Sequence, residues 1–404
     1  WSEIWLRMQS ILQRHDRWEP VLRSLAWWNG VDRWVQEVPG SSTDQWLNYD
    51  RQAVQVIRAL PRVAERDRAL GILQHYLTHA ITNERLIGLD GAVQHHGAFH
   101  LAYASDGLPA LVDMVEQVNA SPYAISRIAR ERLRGVVRGL TAMTGGVELP
   151  ANLNGRAGFP IRYSVGGIAR RLALLGDPDG AGEVDREMAS YYLVLETDGD
   201  AEDVQRFKQL GIAPVVLSGG YSVPTTSALV YRQGDWRITF DGMTRGHRGF
   251  EIYGWNESNN YGEFTCNGTA LLYHGGSPPD ARSSGYGWDG WDWRLWPGAT
   301  SVLREPHQLY QYYAICDGKG KLGVSVTDQG HAVWGLRHDA RGLVFNQSAF
   351  CFGGRITVMV SDMGYAEKDG PVVTCLSQQT LLDRRAPQWV NGKVLKGFPF
   401  RGRL

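Results

Sequence analysis

Residues 184–240 read VDREMASYYLVLETDGDAEDVQRFKQLGIAPVVLSGGYSVPTTSALVYRQGDWRITF, and one periodicity gives way to another inside them. Over 184–195 the apolar residues recur at helical spacing, and the acidic, polar stretch 197–203 reads as a turn. Past about residue 215, short runs rich in β-branched and aromatic residues take over. Stretches 228–231 and 236–240 read as strands joined by the turn Gln233-Gly234-Asp235. Helices in one block and strands in another predict two domains, not an alternating nucleotide-binding fold. The expected class is α+β multidomain. A helical, (α/α) toroid-like catalytic domain is expected over 1–215, and an antiparallel β-sandwich domain over 216–404.

The same contrast holds further out. Upstream, 51–78 places Val54, Ile57, Leu60, Val63, Leu70, Leu73 and Leu77 mostly three to four apart, with Pro61 as a break. Stretches 108–118, 124–144 and 161–175 repeat the pattern, and Gly145-Gly146 is a C-cap signal for the second. Downstream, 262–273, 322–326, 343–352 and 355–360 read as strands, punctuated by Asp317-Gly318, Asp369-Gly370 and Asn391-Gly392. No repeat of fixed period is present.

Composition narrows the function classes. A chain of 404 residues exceeds the usual size of a single core. Its 43% hydrophobic and 21% charged residues are those of an ordinary globular protein. Lys+Arg and Asp+Glu balance at 42 each, so no net field recruits nucleic acid or anionic lipid. No apolar run approaches the ~20 residues of a membrane span. The opening Trp1-Ser2-Glu3-Ile4-Trp5 reads as a mature or trimmed product. Cys266, Cys316, Cys351 and Cys375 fit no zinc spacing, and their pairing stays open. The 15 Trp fall in two bursts, seven of them between Trp1 and Trp46. Flat rings of this kind stack on sugar faces or fill cores. Core filling is the plainer reading of any single Trp, and a weaker one for the Trp288/Trp291/Trp293/Trp296 cluster.

Chemistry concentrates at 90–103, DGAVQHHGAFHLAY. His95, His96 and His100 could ligate a metal, yet no Glu stands at HExxH spacing and Gly97 interrupts the run. Plain surface polarity is a second reading. The third is an acid/base pair. On a helix, His96 and Tyr103 would share a face ~10 Å apart along the axis and reach one bound ring.

Asp90-Gly91, His96-Gly97 and Tyr103 together resemble the catalytic segment of the family-eight polysaccharide lyases, in their chondroitin ABC lyase-like form. Asn154-Gly155-Arg156 resembles the segment carrying that family's catalytic arginine. Glu251-Ile252-Tyr253, with Asn259-Asn260-Tyr261-Gly262 behind it, resembles the glutamate segment. Gly290-Trp291-Asp292-Trp293-Arg294 and Pro297-Gly298-Ala299-Thr300 resemble a β-domain signature, and Asn391-Gly392-Lys393 a late hairpin. The matches keep their order from about residue 50 to 395.

The resemblance implies a glycosaminoglycan lyase acting by β-elimination on chondroitin or dermatan sulfate, with hyaluronan as a further candidate. Tyr103 would be base and general acid. An unperturbed phenol near pKa ~10 is a poor base at neutral pH, and Arg156 would lower that value. His96 would assist, or act as base towards iduronate. Glu251 would orient Arg156 and hold the domains together. Asn48, in Trp46-Leu47-Asn48-Tyr49-Asp50, stands where the family neutralises the uronate carboxylate; local capping is its other reading. His95, Trp27, Trp28 and Arg162 complete the expected substrate contacts. Arg85, Arg170, Arg171, Arg245 and Arg248 are further cations near the motifs, for which solvated charge is the plainer reading. No organic cofactor or catalytic metal is called for, and a structural calcium is left open. A secreted or periplasmic monomer acting on a polysaccharide or oligosaccharide is expected. Relatives carry more sequence on both sides. The rivals are a non-catalytic carbohydrate-binding protein, a lyase for another uronate polysaccharide, and a glycoside hydrolase pairing Glu251 with Glu257.

Overall fold

The computed structural model describes residues 2–29, 31, 43–95, 98–144, 148–156, 165–196, 198–199, 201–244, 247, 249–252, 262–287, 290–305, 307, 309, 314–315, 318–366, 370–380, 389–390 and 393–394. The helices among them are α1 (Ser2–Arg7), α2 (Gln9–Arg14), α3 (Trp18–Trp28), α4 (Thr43–Gln45), α5 (Ala53–Arg58), α6 (Val63–Thr82), α7 (Leu101–Asn119), α8 (Arg127–Thr144), α9 (Val165–Leu174), α10 (Arg186–Leu195) and α11 (Glu202–Gln209). A π-helical turn, Trp46–Asp50, joins α4 to the stretch before α5. A short hairpin, β1 (Gln94–His95) and β2 (Ala98–Phe99), precedes α7. No described helix is long and apolar enough to cross a membrane.

Pro61 separates α5 from α6, as its missing N–H and bulky ring require. The α7 helix is enclosed rather than amphipathic: Leu101, Ala104, Leu108, Leu111, Val112, Met114, Val115 and Val118 are all buried. It starts seven residues before the apolar run at 108–118, because small and polar residues at 102–107 hide the helical period. Gly107 explains one of them. A Cβ there would lie 2.8 Å from the Thr43 carbonyl oxygen and 3.2 Å from the Trp46 ring, so glycine lets α4 and the π turn sit directly on α7. The α11 helix begins inside the stretch read as an acidic turn; it buries only Val204 and Phe207, too few to mark a period.

The strands follow. One antiparallel sheet has the order β3-β4-β5-β7, from Gly219–Val223, Ala228–Gln233, Trp236–Gly242 and Asn267–Tyr273, with β6 (Glu251–Ile252) on the connection. After β8 (Thr300–Val302) and β9 (Ala314–Ile315) comes a second antiparallel sheet, β10-β11-β12-β13. Its strands are Lys321–Val326, Ala332–Ala340, Leu343–Phe352 and Arg355–Tyr365. The pairs β14 (Val372–Thr374) with β8, and β15 (Trp389–Val390) with β16 (Lys393–Val394), complete the described strands.

Strand alternation assigns the layers. Leu229 and Tyr231 of β4 and Phe240 of β5 pack against Trp334, Leu336, Phe345 and Ala349 of the second sheet. Ala228 and Val230 point the other way, into the core of the helices. The first sheet is therefore a middle layer, covered on both faces, which is why β4 is buried from Ala228 to Tyr231. Polar clamps join it to the helical layer. Asn152 Nδ2 donates to the Thr239 carbonyl and to Thr269 Oγ1, both at 3.2 Å, while Thr239 Oγ1 donates to Asn152 Oδ1 at 2.8 Å. The Thr225 amide donates to Asp90 Oδ2 at 2.7 Å, and Arg232 donates to the Ala142 carbonyl at 2.8 Å.

The Trp cluster belongs to the core. Trp291 and Trp296 are buried with Tyr273 and Tyr286, and Trp293 packs against them; Trp288 lies outside the described residues. Tryptophan excess here fills the interior behind β7 instead of meeting sugar. Cys266, Cys351 and Cys375 form no disulfide among the described residues, and Cys316 lies outside them. Cys266 Sγ donates to Asp241 Oδ2 at 3.2 Å, and His247 Nε2 lies 3.9 Å from Asp241 Oδ1. Burial pushes the Asp241 carboxyl up to about 7 and the His247 imidazole down to about 4.

Replacing Asn152 by Leu leaves the Thr239 hydroxyl without its acceptor in a dry interior. The expected loss is about 2–4 kcal/mol in urea unfolding, and an unchanged midpoint would contradict the clamp. Asp241 holds its proton more tightly folded than unfolded. Its contribution is thus complete below the ordinary 3.8 and lost as pH rises through about 7. Asp241→Asn should raise the unfolding midpoint at pH 8 and leave it nearly unchanged at pH 4.

Candidate active site

The polar segment 90–103 is not one helix. Gln94 pairs with Phe99 and His95 with Ala98, so the chain doubles back before entering α7. His100 caps α7: its N–H donates to the Val93 carbonyl at 3.2 Å, and its carbonyl accepts from Ala104 at 3.1 Å. The fold-back lays the His95 ring flat on Tyr103, in the first turn of α7, with centroids 3.7 Å apart and planes at 27°. The His100 ring meets the same phenol edge-on at 4.5 Å. Tyr103 is held between two buried imidazoles. Behind His95, Nδ1 lies 3.3 Å from Thr43 Oγ1 and Nε2 lies 3.9 Å from Asp44. Asp106, one turn along α7, is held above the usual carboxylate range by burial and by the charge of Asp44.

Arg156 arrives from the turn after Asn152. Asn154 is fully buried and its Oδ1 accepts the Arg156 amide at 3.0 Å, while its carbonyl accepts the Ala102 amide at 2.9 Å. Gly155 takes φ +82°, and a Cβ there would lie 2.8 Å from the Phe99 carbonyl and 2.9 Å from the His100 ring. Only glycine allows this approach. The Gly155 carbonyl in turn accepts the Glu251 amide at 2.9 Å. Three segments far apart in sequence are thereby stitched backbone to backbone.

The side chains converge at that stitch. Arg156 Nη1 donates to the Tyr103 hydroxyl. Its Nε lies 3.8 Å from Glu251 Oε2, and its Cζ sits 5.3 Å from the Tyr103 ring centroid. Glu251, paired with Ile315 on β9, is 1% exposed and lies 3.3 Å from His100 Nε2. A guanidinium and an imidazole thus answer the buried carboxylate from the helical side. The half-buried phenol and guanidinium are where this network reaches solvent. A guanidinium donating to a phenolic oxygen favours phenolate over phenol.

Other expected residues fare differently. His96 and Arg162 lie outside the described residues, as do Arg245 and Arg248. His95, expected to touch substrate, is 1% exposed and supports Tyr103 from beneath. Asn48 is exposed on the π turn packed against α7. Trp27 and Trp28 are 68% and 56% exposed at the end of α3, with ring centroids 6.4 Å apart. Arg170 pairs with Asp203, and Arg171 with Asp113 and Glu116, so both brace helices. Arg85 is exposed. Sequence reading missed the part played by His100 and Asn154, although both stand in or beside the quoted motifs. A groove of about 690 Å³ lies elsewhere, among Arg7, Arg51, Gln55, Arg58, Asp113 and Gln117. Its α7 residues sit ~15–21 Å along the helix from Tyr103. Arg51 there pairs with Asp113, and Arg58 donates to the Gln117 carbonyl.

Comparison with known proteins fits this arrangement. Residues 1–202 match the family model described as "Lyase, catalytic", and residues 226–396 match "Polysaccharide lyase family 8, super-sandwich domain". The chain is 25% identical over 309 residues to the chondroitin sulfate ABC exolyase of Proteus vulgaris, covering 74% of this chain and 30% of that protein. It is 23% identical over 439 residues to the chondroitin sulfate ABC endolyase of the same organism, covering 100% and 41%. The chain thus spans well under half the length of these relatives. In three dimensions it resembles the Streptomyces coelicolor A3 chondroitin AC lyase in complex with chondroitin sulphate. The TM-score is 0.70 at 14% identity, over 97% of this chain and 57% of that one. A Paenibacillus xanthan lyase shares the fold at TM-score 0.57 and 16% identity, over 82% and 33%.

Proposed function

The chain belongs to polysaccharide lyase family 8, and from that premise we propose that it degrades glycosaminoglycans by β-elimination at a uronic acid. The observation that carries the reading is the Tyr103 phenol, half open to solvent, with the Arg156 guanidinium donating to its oxygen and buried Glu251 behind. Chondroitin sulfate is the substrate favoured by the names of the similar curated proteins; dermatan sulfate and hyaluronan, which carry uronic acids too, are further candidates.

The uronate C5 proton is only weakly acidic beside a charged carboxylate, so three things are needed: a base, a donor for the leaving oxygen, and neutralisation of that carboxylate. Tyr103 as phenolate takes the C5 proton. The electron pair forms the C4–C5 double bond, and the C4–O bond breaks. The phenol so formed then gives its proton to the leaving oxygen, which restores the phenolate. Atoms and charge balance without any external reagent, so the scheme calls on no organic cofactor or catalytic metal. Arg156 stabilises the phenolate in the resting state. Asn48, exposed beside α7, is assigned to the uronate carboxylate, and His96 to the C5 proton of iduronate, which lies on the opposite face. Trp27 and Trp28 offer flat apolar surface for sugar rings. A polysaccharide substrate places the enzyme outside the cytosol, in the medium or periplasm.

The reading is tested by incubating the protein with chondroitin sulfate and following ultraviolet absorbance. Elimination creates a conjugated unsaturated uronate, whereas binding or hydrolysis does not. Tyr103→Phe should lower kcat by about 10²–10⁴-fold with oligosaccharide affinity kept; retained turnover removes Tyr103 from the mechanism. Arg156→Lys stabilises phenolate less well, so Tyr103 loses its proton at higher pH. The rising limb of the kcat/KM profile should move upward, and an unmoved limb would contradict the role given to Arg156.

A further inference from the structure

Glu251 Oε2 is shared. His100 Nε2 lies 3.3 Å from it and Arg156 Nε 3.8 Å from the same oxygen. A guanidinium and a carboxylate normally close to about 2.7–2.9 Å. Here they stand apart, and the guanidinium hydrogen-bonds the Tyr103 phenol instead. The carboxylate cannot retreat, because the Glu251 amide is fixed to the Gly155 carbonyl and its strand to Ile315. The imidazole cannot move either. It is fully buried, wedged against Tyr103, and its backbone caps α7.

We propose that His100 is a positioning residue: by occupying Glu251 Oε2 it lets the Arg156 guanidinium stay on the Tyr103 oxygen. Its catalytic consequence rests on the lyase reading; its effect on the phenol does not. Deleting the imidazole donor leaves a buried carboxylate short of one hydrogen bond. Closing the ion pair with Arg156 is the cheapest remedy, and it draws the guanidinium off the phenol. Tyr103 then ionises at higher pH. Among the described residues, the other titratable groups near the ring are His95 of β1 and, beyond it, Asp44 of α4, with Asp106 one turn along α7. His100 touches both the phenol ring and Glu251. A residue that merely filled space would change stability and leave that ionisation where it was.

The test is the ionisation midpoint of Tyr103, read by NMR of the full chain carrying ring-labelled tyrosine and assigned by loss of the signal in Tyr103→Phe. His100→Phe keeps a ring against Tyr103 but has no donor, and should raise the midpoint by about one pH unit. His100→Ala should do the same. His100→Gln, which retains an N–H donor, should recover more than half of that shift. A folded Phe or Ala variant with an unmoved midpoint overturns the proposal, and so does a Gln variant no better than Phe. Should neither donor-less variant fold, Glu251→Gln decides: removing the competing carboxylate should lower the midpoint, and a rise overturns the proposal. Turnover of chondroitin sulfate is followed alongside, with kcat expected to fall about tenfold in His100→Phe at nearly constant KM. A wild-type protein that yields no unsaturated product removes the lyase reading, while the titration still decides the part played by His100.

Discussion

A buried negative charge must be answered, and at Glu251 the answer comes from across a seam. The carboxylate sits on a strand of the β region, while the guanidinium and imidazole that meet it belong to the helical layer. Breaking such a pair from one side costs about 3–5 kcal/mol, because the remaining charge stays in a dry place. The geometry of the site follows from meeting that demand. Arg156 must lie within reach of Glu251, so its turn must run beneath the α7 N-terminus. That placement brings the guanidinium onto the Tyr103 oxygen.

The seam is stiff because the first sheet is common to both layers. Its two faces feed two different cores, and no slab of solvent separates helices from strands. Asn152, two residues before Asn154, is locked to β5 and β7 by three hydrogen bonds. The turn that presents Arg156 is therefore fastened at one end to the sheet and at the other to α7. Groups carried this way need little rearrangement when a ligand arrives, which is the condition under which fixed charges stabilise a developing negative charge most.

Much of this was legible in the sequence, and the remainder has physical reasons for being hidden. Period change alone separates helices from strands near residue 215, and Pro61 marks a true helix break. The start of α7 was not legible, because enclosed helices carry alanine and glycine where amphipathic ones carry leucine. Nor was the hairpin at 94–99: two-residue strands have no period, and a histidine-rich run reads as polar surface. Taken as a helix, the segment would hold an imidazole ~10 Å from the phenol. The hairpin lays the neighbouring His95 against the phenol, while His96, the residue expected at that spacing, lies outside the described residues. The convergence of Tyr103, Arg156 and Glu251 spans separations that no local pattern records; the His100–Glu251 contact alone bridges 151 residues. Family resemblance supplied those three positions. It was silent on His100, whose part emerges only in the folded chain. Tryptophan counts misled at 291–296 because the same flat ring serves a sugar face and a core equally well.

The proposed elimination requires a uronate ring seated over one phenol at the α/β seam. The most direct measurement is a crystal structure of Tyr103→Phe, chosen to prevent turnover, with a chondroitin tetrasaccharide bound. A uronate C5 about 3–3.5 Å from the position of the missing hydroxyl, with the Arg156 guanidinium beside it, is the predicted result. An ordered sugar chain that touches neither the substituted ring nor Arg156, lying instead in the groove near Arg7 and Arg58, would contradict it.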